Sequence, residues 1–369
     1  MNVGVWNARV GTRESGGTET FLREMIKRLV SHHEVTLYTG EGDLLAEVRQ
    51  FDVDVVQVPY WPKEGRINAQ LSSRTPLLPA EVETVSMAWH AWRNGTFDRI
   101  EHEEDVLSLH YYLDNLLLSR AVDVPTVFHF PGIRHPSVRW RAMARLAAPT
   151  RYLANSESTA RRAREWLDIA VDGTVYPGVD YEQFHPGVEP AFERDSPVIL
   201  YVGRLDEGKG LAELIDAHAR LDAELYLVGA GTLTADLRER VRRLGTTDRV
   251  TFTGGIEHER LPGYYAAADV FCLPSHHESL GIVNIEAMAT GVPVVSTRID
   301  AIEEYLDDGE NGLLVSPGDT DELAAALGRL IGDPALRDRL GQAGRRTAES
   351  YSWDRQAEEL SRQYERTRR

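Results

Sequence analysis

Ser275–Gly291, SHHESLGIVNIEAMATG, is the stretch that best indicates the fold class, because it marks a junction between a strand and a helix. The apolar run before it, Val270–Leu273, is typical of a buried strand. Apolar residues then recur at helical spacing from Ile282, and Ser279 is placed to cap that helix. A strand followed directly by a helix is the repeating unit of a parallel α/β sheet.

Two glutamates, Glu278 and Glu286, flank this junction. The first-turn amides of the helix, among them those of Ile282 and Val283, have no intrahelical partner and favour an anion. Gly281 would let a ligand approach that backbone closely. The carboxylate of Glu286 could accept hydrogen bonds from two neighbouring hydroxyls, as on a ribose, and Glu278 would lie nearer to a sugar. The pattern predicts a site for a nucleoside diphosphate joined to a hydroxylated group.

In so acidic a chain, two glutamates could equally be solvated surface charges, but a second stretch favours the site. In PVILYVGRLDEGKGLAELIDA, residues 197–217, Gly203 ends an apolar strand and a helical pattern follows. Arg204 and Lys209 therefore lie in a loop at the carboxyl end of a strand, where open α/β sheets bind ligands. Only three of the 41 basic residues are lysines, so a lysine in this loop favours a phosphate contact over chance placement.

The order of elements predicts two α/β domains. Strand patterns alternate with helical patterns along the chain, which is typical of parallel sheets covered on both faces. A chain of 369 residues can form two domains with cores of their own. We predict a first domain over residues 1–177, a proline-punctuated linker over 178–196, a second domain over 197–347 and a closing helical segment over 348–369.

The stretch 59–96 is rich in aromatic and polar residues, including Trp61, Trp89 and Trp92. These side chains could stack on an acceptor sugar, but packing beneath a loop is the favoured interpretation.

Composition limits the partners and the compartment. A net charge of −17 argues against a general nucleic-acid binder. The acidic, lysine-poor composition resembles that of halophile proteins, which is a hypothesis about the source. The single cysteine, Cys272, excludes an intrachain disulfide and fits a reducing, cytoplasmic location. The start of the chain has no charged leader, and no apolar run is long enough to span a membrane.

Residues 124–156 contain no aspartate or glutamate and five arginines, although the chain average predicts about five acidic residues there. Arg139, Arg141 and Arg145 lie beside an apolar helical face. Basic amphipathic helices can bind anionic lipid, so we hypothesise a peripheral enzyme on the inner face of the cell membrane, with a lipid-linked acceptor. A solvated helix next to a phosphate-binding cleft is the alternative.

Several short motifs together resemble retaining glycosyltransferases of family 4, also called glycosyl transferases group 1. They occur in the family's order over nearly the whole chain: GGTE (16–19), LANSES (153–158), VYPGVDYEQFHP (175–186), GRLDEGKG (203–210), LVGAGT (227–232), ESLGIVNIE (278–286) and YSWDRQAEEL (351–360). The resemblance implies the α/β GT-B fold, with two Rossmann-like doubly wound domains facing across a cleft. It also implies that the closing helix packs back on the first, acceptor-side domain. Ser279 and Leu280 depart from the family, which has an aromatic residue there.

The resemblance also implies roles for individual residues. Arg204 and Lys209 would neutralise the diphosphate, Glu278 would contact the transferred sugar, and Glu286 would hold the ribose. His129, which precedes Pro131 and Gly132, matches the active-site histidine. The donor-binding backbone would include Gly16, Gly17, Gly203, Gly281, Ile282 and Val283.

The candidates on the acceptor side are His110, Arg139, Arg141 and Arg145. His110 and His129 each end a predicted strand, and either could instead be a structural histidine with an internal hydrogen-bond partner. For His110 the structural interpretation is slightly favoured.

The predicted reaction is transfer of a hexosyl-type sugar, with retention, from a UDP-, GDP- or ADP-linked donor to a hydroxyl of a glycan or lipid-linked acceptor. No metal or other cofactor is expected, because Arg204, Lys209 and the helix amides supply the positive charge. The chain shows no metal-ligand spacing, and the adjacent His276 and His277 would diverge. The alternatives are a nucleotide-sugar epimerase or hydrolase on the same scaffold, and a non-catalytic subunit of a glycan-assembly complex.

Overall fold

A computed structural model describes residues 1–12, 17–75, 77–133 and 138–368. The chain divides into two compact units. Unit 1 comprises Met1–Tyr176 and Asp354–Arg369, and unit 2 comprises Pro177–Trp353.

Unit 1 is built on a seven-stranded sheet with the order β3-β2-β1-β4-β5-β6-β7. Every neighbouring pair in it is parallel. The strands are β1 (Asn2–Trp6), β2 (Glu34–Gly40), β3 (Asp54–Val58), β4 (Val106–Leu109), β5 (Thr126–Phe130), β6 (Arg151–Ala154) and β7 (Gly173–Thr174). The central strands β4 and β5 are buried at every residue, because helices cover both faces of the sheet.

The helices of unit 1 connect these strands in order. They are α1 (Gly17–Leu29), α2 (Arg66–Ser72), α3 (Pro79–Arg93), α4 (Thr96–Glu103), α5 (Tyr112–Ala121), α6 (Val138–Leu146) and α7 (Glu157–Arg162). Ser156 caps α7 by accepting a hydrogen bond from the amide of Thr159. The predicted packing of the tryptophans in 59–96 is wrong for Trp89 and Trp92 on α3, which are 40% and 68% exposed.

Unit 2 repeats the same topology with six strands, in the order β10-β9-β8-β11-β12-β13. The strands are β8 (Val198–Val202), β9 (Glu224–Val228), β10 (Val250–Gly254), β11 (Val270–Leu273), β12 (Val294–Thr297) and β13 (Leu313–Val315). The helices are α8 (Leu211–His218), α9 (Thr234–Leu244), α10 (Leu261–Ala266), α11 (Ile282–Thr290), α12 (Thr320–Gly332) and α13 (Pro334–Glu349). In both sheets the first strand lies in the interior and the strand order reverses beside it, as in doubly wound folds.

The predicted linker over 178–196 is not a separate segment, because it belongs to unit 2. Phe184 is fully buried and its ring lies 5.8 Å from that of Tyr265. The amide of Ala191 also donates to the carbonyl of Gly263. An aromatic anchor and backbone bonds therefore fix a segment whose prolines suggested a spacer.

The last helix, α14 (Trp353–Arg368), begins at the final residue of unit 2 and otherwise belongs to unit 1. It starts later than the predicted boundary at residue 348, because α13 extends to Glu349. The buried Tyr364 of α14 donates a hydrogen bond to Ser108 Oγ on β4, at 2.9 Å. The carboxyl end of the chain is thus part of the core of unit 1.

Asp114 makes the stability of unit 1 dependent on pH. It is buried on α5, where Trp6 Nε1 donates to its carboxyl at 3.3 Å. Burial raises the pKa of this carboxyl from 3.8 to about 7. Because the folded state holds the proton more tightly, the stabilising contribution is complete below the unfolded pKa and is lost as the pH rises through the folded pKa.

We therefore predict that Asp114→Asn, which keeps an oxygen for Trp6, gains stability relative to the wild type as the pH rises from 3.8 to about 7. Denaturant unfolding of both proteins at a series of pH values measures the difference. A difference that stays constant over this range would contradict the assignment.

Candidate active site

The candidate donor site lies in unit 2, where β8 and β11 are neighbours and the strand order reverses. The loop after β8 carries Arg204 and Lys209, and the loop after β11 carries Glu278. Since parallel strands end at the same edge of a sheet, the two loops meet there. The amide of His276 donates to the carbonyl of Gly208 at 2.8 Å and joins them. Ligands bind at this position in doubly wound sheets.

Lys209 and Glu278 form an ion pair between these two loops. Lys209 Nζ lies 2.6 Å from Glu278 Oε1, and both side chains are largely buried. A pair with little exposure is screened less by salt than a surface pair. The structure therefore brings together the predicted phosphate-binding cation and the predicted sugar-facing carboxylate.

Four helices of unit 2, α8 to α11, begin without a side-chain cap, and two of them, α8 and α11, follow the loops that carry Lys209 and Glu278. α8 starts after Gly210 and α11 starts after Gly281, and both glycines have left-handed backbones with φ of 66° and 80°. The prediction that Ser279 caps α11 is wrong, because the helix begins at Ile282. By contrast, Asp319 and Asp333 cap α12 and α13. The uncapped first-turn amides of α8 and α11 remain available for an anion.

A buried hydrogen-bond network fixes the start of α11. Tyr305 Oη donates to the carbonyl of Gly281 at 3.3 Å, and Asn284 Nδ2 donates to Tyr305 Oη at 2.9 Å. Asn284 Nδ2 also donates to Ser296 Oγ on β12, at 3.1 Å. α11 carries no acidic residue in its first turn, so the positive end of its dipole is not neutralised from within the helix. The network therefore holds a positively polarised backbone at the edge of the sheet.

Glu286 is 5% exposed and both of its oxygens are hydrogen-bonded. Tyr265 Oη donates to Oε2 at 2.7 Å, and His258 Nε2 lies 2.9 Å from Oε1. The ring of Phe184 packs against both His258 and Tyr265. Sequence reasoning missed these partners, since they precede Glu286 by 28 and 21 residues and share no motif with it.

Arg204 does not join the ion pair of Lys209 and Glu278. Its side chain is 64% exposed, and Nη1 lies 2.6 Å from Asp206 Oδ2. Hydrogen bonds from Thr232, followed by the charge of Arg204, lower the pKa of Asp206. Gly203, which precedes Arg204, has a φ of 151°, and an added Cβ would lie 2.8 Å from Tyr201 Oη. The loop therefore holds Arg204 at the surface beside a charged acid.

In unit 1, His110 and His129 lie on adjacent strand ends with their ring centroids 5.9 Å apart. Both are buried and both have an internal partner. His129 Nε2 lies 3.2 Å from the carbonyl of Val175, and His110 Nε2 lies 2.9 Å from Ser108 Oγ. Burial lowers the pKa of His129 to about 4 and that of His110 well below its usual value, so both rings are neutral at pH 7.

The other candidate residues of unit 1 are two glycines near α1 and three arginines on α6. Gly17 is the first residue of α1, and Gly16 lies outside the described residues. The three arginines are on α6, where Arg139 lies 2.6 Å from Glu81 and Arg145 lies 4.0 Å from Asp168. The side chain of Arg141 is exposed.

The described residues contain neither a candidate metal cluster nor a candidate membrane span. No group of three or more His, Cys, Asp or Glu side chains in that part of the chain could hold a metal ion. None of its helices has both the length and the apolar character needed to cross a bilayer.

Two doubly wound sheets with an ion-paired lysine and glutamate at the candidate donor-side edge are the arrangement expected of a GT-B glycosyltransferase, and comparisons with known proteins show this class. The model for Glycosyltransferase Family 4 matches residues 15–183, and that for Glycosyl transferases group 1 matches residues 188–347. The chain belongs to glycosyltransferase family 4, as its motifs predicted.

Two curated relatives are similar over most of their length. The chain is 36% identical to the MMP alpha-(1->4)-mannosyltransferase of Mycolicibacterium hassiacum, over 95% of each protein. It is 35% identical to the alpha-D-kanosaminyltransferase of Streptomyces kanamyceticus, over 77% of this chain and 86% of the relative. Both are glycosyltransferases, so the transferase class predicted from the sequence is confirmed.

Solved structures share the fold. Sucrose-phosphate synthase from Thermosynechococcus elongatus superposes with a TM-score of 0.76, at 22% identity, over 99% of this chain and 98% of that one. The Anabaena protein HepE, in complex with UDP, gives a TM-score of 0.76 at 20% identity over 99% of this chain and 100% of that one. The predicted α/β GT-B fold class is therefore confirmed.

The loop after β8 allows a paired test of backbone packing. Gly208 and Gly210 both have positive φ, but an added Cβ finds open space at Gly208 and lies 2.0 Å from the carbonyl oxygen of Pro274 at Gly210. We predict that Gly208→Ala costs about 1–2 kcal/mol of stability, as for any left-handed residue. Gly210→Ala should cost clearly more and should also reduce turnover, because the backbone beside Lys209 must move.

Denaturant unfolding and initial rates of the two variants check this prediction. Equal losses of stability would show that the contact with Pro274 does not restrain the loop.

Proposed function

We propose that this glycosyltransferase moves a sugar from a nucleoside diphosphate sugar to an acceptor hydroxyl, with retention of configuration. The 2.6 Å ion pair between Lys209 and Glu278, placed between two uncapped helix starts, is the observation that carries the proposal. The cation and the helix amides suit a diphosphate, and the carboxylate suits the hydroxyls of a sugar.

The positive groups match the electrostatic demand of the reaction. As the bond from the anomeric carbon to the phosphate oxygen breaks, negative charge builds on the departing diphosphate. Preorganised donors that face developing charge stabilise a transition state more than a ground state. Lys209 and the first-turn amides of α8 and α11 are fixed in advance by the ion pair and by the loop contacts. In the proposal they supply this charge without a metal ion.

Glu286 supports the ribose assignment. A carboxylate has about four lone-pair positions, and Tyr265 and His258 occupy one on each oxygen. One position per oxygen remains for two neighbouring hydroxyl groups of a ribose. Because the two internal partners fix the plane of the carboxylate, those positions are oriented before a ligand binds.

Retention follows in the proposal from departure and attack on the same face of the sugar. Glu278, the carboxylate assigned to the sugar, is ion-paired with Lys209, which makes it a poor covalent nucleophile. The acceptor oxygen would bond to the anomeric carbon as the phosphate oxygen leaves, and the acceptor proton would pass to that phosphate oxygen. His129 and Arg204 keep their assignments as the active-site histidine and a phosphate contact.

Printed descriptions of similar proteins support the type of donor. HepE from Anabaena has been crystallised with UDP, with UDP and glucose, and with UDP-glucose. Relatives are named for transfer of kanosamine and mannose. The proposal extends this chemistry to the present chain with a UDP-, GDP- or ADP-linked hexosyl donor and a glycan or lipid-linked acceptor in the cytoplasm.

The first experiment is a thermal-shift screen with UDP, GDP, ADP and their sugars, because a ligand that binds the native state raises the melting temperature. Product release is then measured with and without candidate acceptors, and in EDTA. Acceptor-dependent release that persists in EDTA supports the proposal. Release without an acceptor would favour the epimerase or hydrolase, and the absence of any nucleotide effect would favour a non-catalytic subunit.

Lys209→Ala should reduce turnover by roughly a hundred- to a thousandfold with the fold intact, as for loss of one preorganised donor. Arg204→Ala should act in the same direction. Lys27→Ala, which removes an exposed lysine from α1, is the matched control and should retain wild-type turnover. Near-normal turnover in Lys209→Ala would refute the phosphate assignment.

The ribose assignment has a separate test in the affinity for the bound nucleoside diphosphate and for its 2′-deoxy form. Tyr265→Phe removes a hydrogen bond to a buried carboxylate, so it should weaken ribonucleotide binding by roughly tenfold or more. The affinity for the 2′-deoxy nucleotide should fall less. The ratio of ribonucleotide affinity to 2′-deoxy affinity should therefore be smaller in Tyr265→Phe than in the wild type. Tyr264→Phe alters the neighbouring tyrosine and is the control. An unchanged ratio in Tyr265→Phe would remove the support for Glu286 as the ribose contact.

A further inference from the structure

The solvent-facing side of α3 in unit 1 is apolar and basic. Val85, Trp89 and Trp92 are exposed there, at positions that share one helical face. The guanidinium of Arg93 lies 4.7 Å from the centre of the Trp89 ring. A surface helix of a globular protein normally turns its polar face to water, so this face is the reverse of the usual arrangement.

The two acidic residues of α3 contribute little exposed charge to that face. Glu83 is buried and accepts a hydrogen bond from Arg9 Nε at 2.9 Å. Glu81 pairs with Arg139 of α6 at 2.6 Å, and its side chain is largely buried. In a chain with a net charge of −17, a helical face that exposes basic and apolar side chains, with its carboxylate ion-paired and largely buried, differs locally from the overall charge.

The exposed apolar residues of the protein are concentrated around this helix. In the described part of the chain, eight large apolar side chains are exposed, and seven of them lie between residues 67 and 146. Val138, at the start of α6, is 84% exposed, and the Arg139–Glu81 pair joins α6 to α3. We call the exposed faces of α3 and α6 the basic–apolar surface, with Val85, Trp89, Trp92, Arg93, Val138 and Arg141 as its main residues.

We propose that the basic–apolar surface docks on an anionic lipid bilayer. Tryptophan favours the interface between lipid and water, where its apolar ring and its N–H are both accommodated. Arginines close to an anionic surface add attraction to lipid phosphates. The strongly exposed Trp92 and Val138 can insert into a bilayer without a complementary pocket.

The charge of the rest of the chain determines the orientation. The net charge of −17 opposes approach to anionic lipid, and the basic–apolar surface offsets this locally with exposed arginines and apolar side chains. Docking there would hold unit 1 against the bilayer that carries a lipid-linked acceptor. The surface is separate from the donor-site residues of unit 2, so this proposal does not depend on the proposed reaction.

The test is co-sedimentation of the full chain with vesicles of phosphatidylcholine, with and without phosphatidylglycerol, at low and high salt. We expect binding only to the vesicles with phosphatidylglycerol, and weaker binding as salt screens the charges. Trp92→Ala should weaken binding roughly tenfold, and Arg141→Gln roughly fivefold. Melting temperatures of the variants establish that the fold is intact.

Matched controls come from α9 in unit 2. Leu244, the exposed large apolar residue outside the 67–146 stretch, is 42% exposed, and Arg243 beside it is also exposed. Leu244→Ala and Arg243→Gln should bind vesicles as the wild type does. The proposal is overturned if wild-type protein does not bind at low salt, or if the controls weaken binding as much as the variants. Self-association that Trp92→Ala abolishes, without vesicle binding, would assign the surface to a second copy instead.

Discussion

Parallel strand pairing is the constraint from which the rest of this structure follows. A parallel strand cannot return through a tight turn, so each strand of both sheets is followed by a longer connection that crosses back over the sheet. All carboxyl ends then lie at one edge, and the reversal of strand order opens a crevice beside the first strand of each sheet. Lys209 follows β8 and Glu278 follows β11, so topology alone places them at one crevice although they lie 69 residues apart.

The electrostatics of the candidate donor site depend on the first-turn amides of α8 and α11, which no side chain caps. Asp319 and Asp333 satisfy the first-turn amides of α12 and α13 from within the protein. Gly210 and Gly281 provide no side chain, and their left-handed backbones start α8 and α11. A glycine at such a position keeps the amides unmasked and lets another backbone or a ligand approach closely. Both positions also tolerate substitution poorly. An added Cβ would contact Pro274 at Gly210 and Ile302 at Gly281.

Buried hydrogen bonds position Glu286 and the start of α11 at the carboxyl edge of the unit 2 sheet. Glu286 is held by Tyr265 and His258, and the start of α11 is held by Tyr305, which donates to Gly281 and accepts from Asn284. Buried polar groups that are satisfied by specific partners favour one arrangement strongly over others. In unit 1 the chain from Tyr364 through Ser108 to His110 has the same character and connects the last helix to the carboxyl end of β4.

The class of the fold and the residues of the candidate donor site could be predicted from the sequence alone. Alternating strand and helix patterns require parallel sheets, and Lys209, Glu278 and Glu286 follow recognisable strand ends, because local periodicity and glycine positions are properties of short segments. Tertiary structure decided the rest. Gly281 rather than Ser279 starts α11, the proline-rich 178–196 segment packs into unit 2, and His258 and Tyr265 complete the surroundings of Glu286. Which side of α3 is exposed also depends on how the rest of unit 1 packs against that helix. These features arise from contacts between residues far apart in the chain, and no local pattern encodes such contacts.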